Sequence, residues 1–176
     1  MRKKIKIIAV VSVLGVLSIL IFGLLSEAKE KATIAKRIHT IPSFTLKTLE
    51  DIEFGKDNLR PNTPCVFLYF NSECDFCQHE AESIHNHIDK FNEILLVFVS
   101  TEPIEKIKEF SEKYNLHKRL NILFLQDVDG RFSENFNVTT IPFALAYDKH
   151  QKLIKTHKGQ LNAKGILKFF DKNSYE

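Results

Sequence analysis

The sequence predicts an α/β fold in which helices flank a central mixed sheet, with one apolar helix ahead of it. Three observations carry this expectation. Short apolar runs such as Val66–Phe70 and Ile94–Val99 alternate with segments whose apolar residues recur at helical spacing. Two further runs, Val138–Tyr147 and Lys152–His157, are separated only by the polar Asp148-Lys149-His150, as in a hairpin. A closing helix from about Asn162, a suitable N-cap, to Phe170 then completes a sandwich rather than an all-parallel array.

The N-terminal element comes first. Arg2, Lys3, Lys4 and Lys6 precede an uncharged stretch from Ile7 to Leu25. As a helix those residues rise about 28 Å, close to the roughly 30 Å hydrocarbon core of a bilayer. The basic flank should remain cytoplasmic and the rest of the chain should cross. The competing reading is a cleaved signal peptide, because Ser26-Glu27-Ala28 is a passable cleavage site; the length of the apolar stretch favours the anchor. The expected organisation is a flank and transmembrane anchor over residues 1–25, a charged linker over 26–39 and one folded domain over 40–176.

Within that domain, Ile41–Leu46 and Leu49–Phe54 suggest a small hairpin ahead of the main strands. Val66–Phe70 reads as a buried strand. It leads directly into Cys74-Asp75-Phe76-Cys77 and then into a helix marked by Ala81, Ile84, Ile88 and Phe91. Ile94–Val99 is the next strand, and a helix from about Pro103 to Tyr114 follows, with proline in its first turn. Asn121–Leu125 is a short strand and Ser133–Phe136 a helical turn.

The composition is that of a folded protein: 44% of residues are hydrophobic, 15 are Phe and none is Trp. Three cysteines are too few for a disulfide-stapled mini-protein or a four-cysteine zinc site. The net charge of +3 is misleading, because four of the 25 basic residues lie in the N-terminal flank, leaving 21 against 22 acidic ones. No basic stripe remains for a phosphate backbone, so nucleic acid is not an expected partner.

The chemistry concentrates at Cys74 and Cys77. At a strand-to-helix junction the helix dipole and free N–H groups favour a thiolate on Cys74. Cys74 should attack a disulfide, and Cys77, one turn in and more buried, should resolve the mixed disulfide. Glu73, Asp75 and Glu80 are anions that oppose further negative charge and offset part of the dipole effect. That balance predicts a reductant rather than a strongly oxidising couple. Phe76 should be exposed and could select an apolar surface on a partner. Cys65 reads as a packed thiol. His79, His85 and His87 read as solvated helix residues, and no metal or other cofactor is expected.

The order strand, CxxC, helix, strand, helix, Ile141-Pro142, hairpin, helix resembles the thioredoxin fold. With the extra N-terminal hairpin, the stretch Asp127-Val128-Asp129-Gly130 to Pro142 and the expected anchor, the chain is similar to the TlpA/ResA-type branch of membrane-tethered thioredoxin-like proteins. The resemblance spans about Ile41 to Phe170. It implies a cis bond before Pro142, with Ile141 offering its backbone to an extended substrate beside Cys74. Glu80 matches an acidic residue with which that branch tunes its thiols. The resemblance also implies a domain on the outer side of the bacterial inner membrane, in the periplasm (soluble there if the N-terminus is cleaved). Its substrates would be exported proteins with disulfides, apocytochrome c among them, and a membrane electron-relay protein of the CcdA or DsbD kind would re-reduce it.

The chain departs from the pattern at Glu73, where a Trp is usual, at Glu82, where a Pro is usual, and at Leu68, where thioredoxins carry a buried Asp. Two other activities remain open. One is a thiol peroxidase, although Asn71 stands where such enzymes want Thr or Ser. The other is a copper-delivery module, for which His150 and His157 are available.

Overall fold

The computed structural model describes the backbone of residues 2–171 and the side chains of residue 15 and residues 17–171. The chain divides into two compact units, residues 1–36 and residues 37–176. The first consists of helix α1 (Arg2–Ile38), whose last two residues belong to the second unit. Among the described residues no helix is long and apolar enough to cross a membrane. The basic flank and much of the Ile7–Leu25 run, on which the anchor reading rests, lie outside the residues whose side chains are described.

The second unit is built on seven strands: β1 (Thr45–Thr48), β2 (Glu53–Gly55), β3 (Cys65–Tyr69), β4 (Leu95–Ser100), β5 (Ile122–Gln126), β6 (Phe143–Tyr147) and β7 (Leu153–Lys158). They form one sheet in the order β2-β1-β5-β4-β3-β6-β7. The central β5, β4 and β3 run parallel, while β6 is antiparallel to β3 and β7, and β1 is antiparallel to β2 and β5. The mixed thioredoxin-like sheet is therefore as expected, and the N-terminal hairpin joins it as an edge. Residues 39–41 are also tied to the sheet: Ile41 N–H donates to the Gln151 carbonyl and Leu153 N–H to the His39 carbonyl.

Every residue of β3, β4 and β6 is buried, which is why these segments read as continuous apolar runs. The period of two sorts them onto two faces. Val66, Leu68, Leu96, Phe98, Ala144 and Ala146 pack with residues of helices α2 (Asp75–His85), α3 (Ile104–Lys113) and α5 (Ala163–Leu167). Phe67, Tyr69, Val97, Val99, Leu145 and Tyr147 face Ile41, Phe44 and Leu46 and the short helix α4 (Arg131–Asn135). Phe67 is central there, with its ring edge-on to Phe44 and Tyr147 and tilted against Phe132 and Phe136.

Three sequence expectations are corrected. The segment Val138–Ile141 is a loop, not the start of a strand. Asn137 adopts positive φ, Val138 N–H turns back to the Ser133 carbonyl, and Pro142 offers no N–H to a ladder, so β6 begins only at Phe143. Helix α2 stops at His85, and Ile88 and Phe91 reach the core from a separate 3-10 turn. Pro103 caps α3 from outside rather than occupying its first turn. Asn162 does cap α5, its side chain accepting the Gly165 N–H at 2.8 Å.

Candidate redox site

Strand β3 runs out at Tyr69, and the loop 70–74 carries the chain to α2. Cys74 is the N-cap residue of α2 in extended conformation, and Cys77 lies in the first turn. The two thiols are unequal. Cys77 is buried, at 2% exposure, in the cluster with Leu68, Phe70 and Ala81, whereas Cys74 is half-buried and packs against its edge. Burial raises the pKa of the Cys77 thiol, and its hydrogen bond to Cys74 raises it further; the backbone of Asn71 opposes the shift. The sulfur one turn in is thus held as a neutral thiol beside the more accessible one. Leu68 is buried in the same apolar cluster as Cys77.

The acidic neighbours fall into different environments. Glu80 lies on the same helix three residues beyond Cys77 and is only 3% exposed. Burial pushes its carboxyl up to about 8, with the Leu161 backbone N–H pulling the other way, and its Oε1 has no hydrogen-bond partner. Near neutral pH it is mostly a protonated acid, not the anion the sequence suggests. Glu73 is exposed and pairs with Lys106 of α3 at 2.6 Å, which lowers its pKa. Its charge is met by a cation rather than directed at the sulfurs. Asp75 is exposed in the first turn of α2.

The peptide bond between Ile141 and Pro142 is cis. Tyr69 pairs with Phe143, so Ile141-Pro142 and the Cys74 loop emerge from the same end of the sheet. Pro142 is buried, and its carbonyl accepts the Gly159 N–H at 2.9 Å. Ile141 is 42% exposed and Phe76 is 59% exposed, so both present apolar surface. A cleft of about 490 Å³ elsewhere, lined by Phe44, Lys47, Gln126 and Arg131 among others, includes none of these residues.

Other candidates sit apart from this chemistry. Cys65 is buried in β3, and desolvation pushes its thiol up to about 12, leaving it inert at neutral pH. His79 is exposed and His87 Nδ1 contacts the Ser83 carbonyl at 3.0 Å. Among the described residues no group of three or more His, Cys, Asp or Glu is placed to hold a metal ion. Sequence reasoning missed Glu102, a buried carboxylate that binds Ser72 of the redox loop. Its one sequence signal was an acidic residue two positions beyond a buried strand, just before Pro103 at the N-cap of α3.

Comparison with known proteins bears on the family and the fold. The AhpC/TSA family profile matches residues 38–166. Among solved structures, the chain is similar to DsbF of Mycobacterium tuberculosis, with 24% identity and a TM-score of 0.63 over 76% of this chain and 93% of that one. It is similar to a secreted disulfide oxidoreductase of the same organism, homologous to E. coli DsbE, with 22% identity and a TM-score of 0.62 over 76% and 96%. The peroxidoxin BcpB of M. tuberculosis superimposes with a TM-score of 0.62 at 17% identity, over 74% and 94%. At these identities the structural likenesses speak for the fold. None of the curated proteins matches the sequence.

Proposed function

The chain belongs to the AhpC/TSA family of thioredoxin-like redox proteins, and from that premise we propose that it is a TlpA/ResA-type thiol–disulfide oxidoreductase that reduces disulfides in exported proteins. The observation that carries this reading is the inequality of the two thiols: an accessible Cys74 at a helix N-terminus backed by a buried, protonated Cys77. Cys74 thiolate attacks a substrate disulfide, forming a mixed disulfide and expelling one substrate sulfur, which takes up a proton. Cys77 then loses its proton and attacks the Cys74 sulfur, releasing the second substrate thiol and leaving a Cys74–Cys77 disulfide. Two electrons and two protons pass to the substrate. Glu80, with its carboxyl near 8, is matched to exchange a proton with Cys77 around neutral pH.

The poise as a reductant rests on Cys77 more than on the acidic residues. A strongly oxidising couple requires a stabilised thiolate, and here burial disfavours one on Cys77. Ile141 would pair with an extended substrate strand, and Phe76 would meet an apolar side chain of the same segment. In this reading residues 1–25 tether the domain outside the cytoplasm, a membrane dithiol relay of the CcdA or DsbD kind regenerates it, and apocytochrome c is a candidate substrate. Reduction of insulin disulfides by the full-length protein, together with equilibration in glutathione buffers, tests the proposal. A potential as high as that of oxidising periplasmic enzymes defeats it.

The family and the likeness to a peroxidoxin favour one second reading, a thiol peroxidase with Cys74 as the peroxide-reducing thiol. Against it stands Asn71, whose side chain accepts the Glu73 N–H and offers no hydroxyl to a peroxide. Consumption of hydrogen peroxide at a rate exceeding insulin reduction would select the peroxidase.

A further inference from the structure

Resolution of a mixed disulfide requires the loop that ends at Cys74 to hold its sulfur within reach of Cys77 in α2, and a carboxylate from another part of the sheet holds that loop. Glu102 lies two residues beyond β4 and is 8% exposed. Its Oε2 accepts the Ser72 backbone N–H at 2.6 Å and its Oε1 accepts the Ser72 hydroxyl at 2.6 Å. The Ser100 hydroxyl donates to Oε2 at 3.2 Å. The backbone of Glu102 is itself fixed, because its carbonyl accepts Gln126 Nε2 at 2.9 Å and its N–H donates to Ser100 Oγ at 3.2 Å. The side chain therefore reaches from the ends of β4 and β5 into the redox loop. A carboxylate suits the position, since it accepts from both Ser72 donors at once, which an amide cannot do in the same geometry.

The loop passes this restraint on to sulfur. The Ser72 carbonyl accepts Gln78 Nε2 from α2 at 2.8 Å, the Asn71 side chain accepts the Glu73 N–H at 2.9 Å, and the Cys74 N–H donates to the Asn71 carbonyl at 3.2 Å. The backbone of Asn71 is also the group that favours the thiolate of Cys77. We infer that Glu102 is a positioning residue of the redox site, which fixes Ser72 and with it the loop that ties Cys74 to α2, so that the mixed disulfide on Cys74 is held where Cys77 can resolve it. This rests on the disulfide-exchange reading above, and its test is independent of any physiological substrate.

The full-length protein, reduced and freed of reductant, is mixed with Ellman's reagent in stopped flow. Attack of Cys74 on the aromatic disulfide releases one thionitrobenzoate, and attack of Cys77 on the resulting Cys74 mixed disulfide releases the second. In E102A the second phase is expected to slow about tenfold or more while the first stays within about threefold, as loss of a charge-assisted hydrogen bond implies. E102Q keeps one acceptor for the Ser72 N–H and should fall between E102A and the wild type. S72A retains that backbone bond and should change the second phase least. An unchanged second phase in folded E102A overturns the inference. So does a slowing of both phases that merely follows a fall in the unfolding midpoint. Should the wild-type protein fail to reduce insulin while E102A still shows the selective defect, the reductase reading falls and the role of Glu102 stands.

Discussion

Glu80→Gln separates the buried acid from the rest of the site, and its effect can be worked out from burial alone. In the folded protein the carboxyl is held at about 8, against 4.5 for a glutamate free in water. The folded state therefore keeps a proton that the unfolded state gives up between these two values. Because the unfolded state binds fewer protons in that window, stability must fall as pH rises from about 4.5 to about 8, by up to 1.4 kcal/mol per pH unit. Between pH 5 and pH 8 the loss attributable to Glu80 integrates to about 3 kcal/mol. Gln has the same shape and never ionises. Urea unfolding of the reduced wild-type protein and of E80Q at pH 5, 6, 7 and 8 measures the difference. The two should be similarly stable at pH 5, and E80Q should be the more stable by roughly 3 kcal/mol at pH 8. Contributions of Cys65 are common to both proteins and cancel, and the Glu80 charge is the smallest of the causes that raise the Cys77 thiol. A stability difference that stays flat across this range would refute the reasoning, because Glu80 would then be ionised at little cost in the folded state.

Three further outcomes follow from the same structure. Cys77→Ala should stop the cycle at the mixed disulfide, so substrate proteins accumulate on Cys74 and are recovered by non-reducing electrophoresis and mass spectrometry; Cys74→Ala should trap nothing. Phe76→Ser removes an exposed ring that stabilises no core, so the unfolding midpoint should hardly move. KM for a peptide disulfide flanked by apolar residues should instead rise roughly tenfold, and an equal KM for apolar and polar flanks in the wild type would count against that role. Phe67→Ala empties the centre of the aromatic cluster on the opposite face and should cost about 3–5 kcal/mol in urea unfolding without changing the glutathione equilibrium of the thiols. A loss below about 1 kcal/mol would mean that the cluster collapses around the gap.

Local pattern was a sound guide wherever one element decides its own environment. The runs Val66–Phe70 and Ile94–Val99 are buried on both faces, so they carry no polar residue and read as strands without knowledge of their neighbours. Cys74 and Cys77 are legible for a similar reason, since their spacing and the start of α2 lie within one short segment. Pattern failed where the partner is distant in sequence. Val138–Ile141 has the composition of a strand, but the Val138 N–H is taken by the Ser133 carbonyl of α4 and Pro142 brings no N–H to a ladder. Glu73 looks like a bare anion until α3 brings Lys106 to it across 33 positions. Glu102 had no legible role because its partner, Ser72, lies 30 residues earlier.

The sequence by itself therefore determined the candidate thiols, their order along the chain and the α/β alternation that presents them, because residue type, short spacing and hydrophobic period are local properties. Only the tertiary structure decided the state of those groups. Whether Glu80 is an anion or an acid, whether Cys77 is a thiol or a thiolate and what holds the loop between β3 and α2 depend on desolvation and on hydrogen bonds from other strands. Those quantities are set by everything that packs around a group, and they exist only once the chain has closed on itself.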